Sequence, residues 1–143
     1  VMSSVGSREM GDGRKATIPP SATTKEYRDL IVWQKAIDIA PIVHRLVKKL
    51  PPEERFGMAD QIRRACVSVA ANIAEGQARE SAGDFARFLR ISRGSLAELD
   101  TIFVMAHRIG YFSEEDIQPL QSHFISIRQL LQRLIQSLER SQG

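Results

Sequence analysis

Three histidines, one cysteine and a set of mid-chain arginines are the side chains here that have chemistry to offer. A di-iron or di-manganese bundle needs Glu-x-x-His pairs that point inward together. His44, His107 and His123 instead have Pro41, Val104 and Leu120 at that spacing. No glutamate has another three residues away, so the magnesium-holding Glu-x-x-Glu pairs of helical nucleotide pyrophosphohydrolases are missing. None of the histidines has an arginine four to six residues ahead, as helical ribonucleases often do. Glycine-rich phosphate loops are absent as well. One cysteine, Cys66, cannot build a disulfide framework or a thiolate cage. Its apolar neighbours mark it as an inert core thiol. His44, on the apolar stripe of the first helix, reads as a core or interface histidine rather than a ligand. The expectation is a protein with no catalytic residues, metal or cofactor.

Arg63, Arg64, Arg79, Arg87, Arg90 and Arg93 offer a different chemistry, that of phosphate recognition. Residues 55–93 hold seven arginines against four acids, a local +3 that matches the net charge of the whole chain. Arg87, Arg90 and Arg93 step by three and wind slowly around one helix. If several share a face, an oligomer repeats the patch and its weak contacts add as avidity. The competing reading is a solvated, self-paired surface. Asp60 precedes Arg63 and Arg64, and Asp84 precedes Arg87, at spacings that form ordinary intrahelical pairs. No aromatic lies among these arginines at an exposed helical position, so base stacking has no evident platform.

These residues must be carried on helices, because a helical apolar period runs through the chain after residue 25. Residues 1–25 are rich in Gly, Ser, Thr and Pro and read as a flexible leader, leaving 26–143 for the bundle. Asp29 is placed to cap a first helix from Leu30, with Trp33, Ile37, Ala40, Val43, Val47 and Leu50 in one stripe. Val32, Ala36, Ile39 and Leu46 widen that stripe beyond what a surface helix needs, predicting more than one neighbour. Pro41 should bend this helix and Pro51-Pro52 should end it. A second helix is predicted from about Glu53 to Ala74, with Gly76 as its stop. Ser81 caps a third, whose inward stripe runs from Phe85 to Ile109 before Gly110. Ser113 and the acids Glu114, Glu115 and Asp116 open a fourth. Its Ile117, Leu120, Phe124, Ile127, Leu131, Leu134 and Leu138 form a heptad seam. The fold class is all-α, an up-down-up-down four-helix bundle. No run approaches the length and apolarity of a membrane span, and the lone cysteine and lack of a signal peptide predict a cytoplasmic protein.

The stretch RRACVSVAANIAEGQAR, residues 63–79, lines one helix face with Ala65, Ser68, Val69 and Asn72. Small side chains let two helix axes come close. Gly94 and Ser95 read as the matching gap in the third helix, Asn72 as an amide bonding across the seam to fix register. Glu75, near a helix C-terminus, needs a cation such as Arg79.

With DLIVWQKA (29–36), QIRRACVSVAANIAEG (61–76), FARFLRISRGSLAELDT (85–101) and RIGYFSEED (108–116) in order, the chain resembles the four-helix-bundle family encoded in intervening sequences of bacterial 23S ribosomal RNA genes. The resemblance covers roughly residues 27–137. It implies a ring-shaped homo-oligomer, a pentamer, of largely unassigned function. It also implies kinship with the accessory variability determinant of diversity-generating retroelements, a pentameric bundle that binds its reverse transcriptase and nucleic acid. Two departures stand out: Ala70 where the family usually has proline, and Pro41 where it has none. The function expected is a non-enzymatic scaffold or adaptor whose partner is itself, with Trp33, Ile37 and His44 at the contact. The alternative is sequence-tolerant RNA or DNA binding through the central arginines, with nucleic acid or a nucleic-acid enzyme as partner.

Overall fold

Four helices carry the chain: α1 (Ile31–Val47), α2 (Met58–Ala78), α3 (Ala82–Ile109) and α4 (Glu114–Gln142). They come from a computed structural model that describes residues 26–142, so the expected leader lies outside the described residues. Among those described there is no strand. Single 3-10 turns, Tyr27–Asp29 and Pro52–Glu54, precede α1 and α2.

Each boundary has a local cause. Asp29 does not cap α1. It is drawn into the preceding turn, Leu30 takes the cap position, and no side chain bonds there. Pro41 sits on the exposed side of α1, and the helix runs through it without a break. α2 begins only at Met58, because Pro52–Glu54 form their own turn first. Ser81 Oγ accepts from Asp84 N at 3.1 Å and starts α3. Gly110 ends it in the left-handed region (φ 102°), donating to the carbonyls of Ala106 and His107. At α4 the capping box is reciprocal: Asp116 N to Ser113 Oγ at 3.1 Å, and Ser113 N to Asp116 Oδ2 at 3.0 Å.

Helices adjacent in sequence pack together, and α4 returns against α1; the backbones of the diagonal pairs stay apart. This is the arrangement of a four-helix bundle. The expected seam of α4 is buried from Ile117 to Leu131, and Ile135 joins it while Leu134 and Leu138 lie half-buried. In α3, Ala86 and Ile102 join the core, whereas Ile109, expected inward, is 56% exposed at the helix's last residue. Phe103 and Phe124 are the largest fully buried side chains.

At one end the α1–α2 connection is clasped to the α3–α4 turn. Lys49 Nζ lies 2.6 Å from Asp116 Oδ1, and Tyr111 OH donates to Glu54 Oε2 at 2.9 Å. His107 Nδ1 meets the Phe112 carbonyl at 2.8 Å. The Lys49 ammonium, then the Ser113 backbone amide, hold the Asp116 carboxyl below its ordinary value. A depressed carboxyl contributes stability above its unfolded pKa and loses it as pH falls through the folded value. Acidification below about pH 4 therefore removes this part of the clasp. Thermal melts at neutral and acid pH check this: Asp116→Asn should show a smaller fall in Tm than the parent chain.

Candidate functional site

The small-residue face of α2 does meet α3, and polar atoms cross the contact. Ser92, fully buried, donates from Oγ to the Val69 carbonyl at 2.7 Å. Ser68 and Ser95 hydroxyls meet at 2.7 Å. Asn72 does not reach across. Its Nδ2 donates to the Ser68 carbonyl and hydroxyl, both at 2.9 Å and within its own helix, so it orients the serine that crosses. Neither glycine plays its expected part. Gly76 is not the end of α2; it is buried inside the helix, where a Cβ would lie 2.8 Å from Phe88 Cβ and 3.0 Å from Phe85 Cδ1. Gly94 is exposed, and its Cβ would meet nothing within 4 Å. The close approach is thus at Gly76, two residues before α2 ends.

Chemistry along this seam is subdued. Burial pushes the Cys66 thiol up to about 11, far from the thiolate a nucleophile needs. Glu75 is exposed and pairs with Arg79 at 2.9 Å. No group of three His, Cys, Asp or Glu side chains that could hold a metal occurs among the described residues.

The six central arginines do not form one patch. Arg63 and Arg64 lie near the start of α2, about 24 Å along its axis from Arg79. Arg64 reaches Asp60 at 3.7 Å, and Arg63 makes no ion pair among the described residues. Arg79 and Arg87 come together at the α2–α3 turn, stacked on the Phe88 ring at 4.8 and 4.5 Å from its centroid. Asp84 stands 3.6 Å from Arg87. Phe88 is therefore an aromatic among the arginines after all, but it is half-buried and already occupied by its two cations. Arg90 and Arg93 turn instead to α4, Arg90 to Glu139 and Arg93 to Gln132 Oε1 at 2.8 Å. The arginines of α4 lie outside the central cluster, in a run with no acid between Asp116 and Glu139.

The broad stripe of α1 divides in two. Val32, Ala36, Ile39, Val43, Leu46 and Val47 enter the core. Trp33 is half-buried, while Ile37 (41% exposed), Ala40 and His44 face away from it. Tyr27 packs edge-on against Trp33, ring centroids 5.4 Å apart, and extends the same outer face.

With this geometry in hand, residues 28–133 match the family model described as 23S rRNA-intervening sequence protein. The chain belongs to that family. A solved relative, described as a protein of unknown function from the S23 ribosomal protein family of Bacteroides thetaiotaomicron, is similar at 28% identity and a TM-score of 0.68. The similarity covers 74% of this chain and 96% of that one. No curated protein matches. The intervening-sequence family span contains α1, α2, α3 and most of α4, with Trp33, Ile37, His44 and all six central arginines inside it. No described helix is long and apolar enough to cross a membrane.

Proposed function

We propose that this protein is a non-enzymatic, self-assembling helical scaffold or adaptor. One observation carries the reading: α1 exposes Ile37 and Ala40 beside a half-buried Trp33 that packs on the edge of the core, a second apolar face beyond the stripe buried in its own bundle. A helix needs only one apolar stripe to fold against its neighbours, so a second one calls for a partner surface. The family resemblance supports a closed ring of identical copies, five in number, in which this face meets a different face of the next copy. His44 lies at the end of the same stripe and would enter the contact. A scaffold of this kind needs no catalytic centre, consistent with the buried, protonated Cys66 and the dispersed histidines. Placing a charge in the stripe tests the reading. Ile37→Glu combined with Ala40→Glu, both at exposed positions, should yield folded protomers that sediment as monomers, since a buried unpaired carboxylate opposes association by several kcal/mol. A double variant that keeps the parent's sedimentation coefficient removes α1 from the contact.

A further inference from the structure

We propose that the outer face of the α3–α4 pair is a binding surface for the phosphodiester backbone of nucleic acid, built from three arginines of α4 together with arginines of α3. The antiparallel contact of α3 and α4 brings residues 84–98 alongside residues 124–141, as the Arg90–Glu139 and Arg93–Gln132 contacts and, just beyond, the Asp100–Gln121 contact show. These two segments hold Arg87, Arg90, Arg93, Arg128, Arg133 and Arg140 against Asp84, Glu98 and Glu139, with Arg87 at the edge, over Phe88 beside Arg79. Their balance is +3, the net charge of the whole chain, so the remaining residues are neutral together. Arg128, Arg133 and Arg140 are exposed and make no ion pair among the described residues. Arg133 and Arg140, seven residues apart, lie one above the other on the helix face turned from the core.

Length and composition fit a polyanion. Arg128 to Arg140 spans about 18 Å of helix axis, over which one strand of a duplex presents roughly five phosphates. Exposed glutamines, Gln129, Gln132 and Gln136, stand between the arginines as neutral hydrogen-bonding groups for phosphate and sugar oxygens. On the α3 side Gly94 and Ala97 are exposed and small, which leaves the backbone open to close approach. The pairing of Arg90 with Glu139 does not use up its guanidinium, which has five N–H donors. The surface consists of α3 and α4 alone and is complete in one protomer.

Fluorescence anisotropy with an end-labelled single-stranded RNA, and with DNA of the same sequence, tests the surface in the full chain. Binding is expected at about 50 mM salt and should weaken steeply as salt is raised. Arg128→Gln, Arg133→Gln and Arg140→Gln combined should raise Kd at least about tenfold and flatten the log–log salt dependence by roughly 2. Arg63→Gln with Arg64→Gln should leave Kd within about twofold, because those residues lie outside the surface. Equal affinity for RNA and DNA supports recognition of the shared phosphodiester, and preference for RNA adds contacts to the 2′-hydroxyl. Circular dichroism and sedimentation of the triple variant confirm that fold and assembly are retained. The proposal is overturned if the folded triple variant binds as tightly as the parent, or if the parent binds neither oligonucleotide at low salt.

Discussion

Truncating Phe103 to alanine is expected to destabilise the bundle by about 3–5 kcal/mol, the largest effect of any single substitution considered. Phe103 is fully buried on α3. Its ring stacks on Phe112 of the α3–α4 turn, centroids 5.4 Å apart, and lies 6.3 Å from Phe124 of α4. Three segments converge on one side chain, so its removal leaves a cavity that no single neighbour can fill. The cost combines lost apolar transfer, lost aromatic contact and the unfilled volume. Chemical denaturation at fixed protomer concentration measures it. A loss below about 1 kcal/mol would mean that the three rings do not share a rigid core.

Gly76→Val should destabilise by about 2–3 kcal/mol. Helix propensity alone predicts a small change in the opposite direction, since mid-helix glycine costs about 1 kcal/mol against alanine. Contact distances decide the sign. The added Cβ would stand 2.8 Å from Phe88 Cβ, 3.0 Å from Phe85 Cδ1 and 3.2 Å from the Phe85 carbonyl oxygen. A backbone carbonyl and a Cβ cannot swing aside as a flexible side-chain end can, so α2 and α3 must separate. Gly94→Ala is the matched control: with nothing within 4 Å of its Cβ, it should stabilise by up to about 1 kcal/mol. Opposite signs at the two glycines would locate the close approach of α2 and α3. Equal signs would contradict it.

The pair of glycines also marks how far sequence carries. Both sit in patterns with a plausible generic role, a helix stop for Gly76 and a packing gap for Gly94, and the two roles do not hold in the fold. Whether α2 continues past Gly76 depends on Phe85 and Phe88 lying opposite it, which no local pattern states. Elements with strong local grammar were readable: the start of α4 after Ser113, the Gly110 stop and the heptad of α4 follow from near neighbours along the chain. Asp29 shows the reverse, because a cap residue absorbed into a preceding 3-10 turn looks the same in sequence as one that caps. The arginines divide along the same line. Their intrahelical partners, Asp60, Glu75 and Asp84, lie at helical spacing, whereas Glu139 and Gln132 reach Arg90 and Arg93 only once α4 folds back. A basic surface shared by α3 and α4 is invisible to any window that reads one helix at a time.

Light scattering on the purified full chain across the micromolar range tests assembly through the outer face of α1. Such assembly should give one species near five times the 16.1 kDa protomer, about 80 kDa, that persists on dilution to about 1 μM. A single species of 16.1 kDa at every concentration would contradict it and leave the Trp33–Ile37 face without a partner copy.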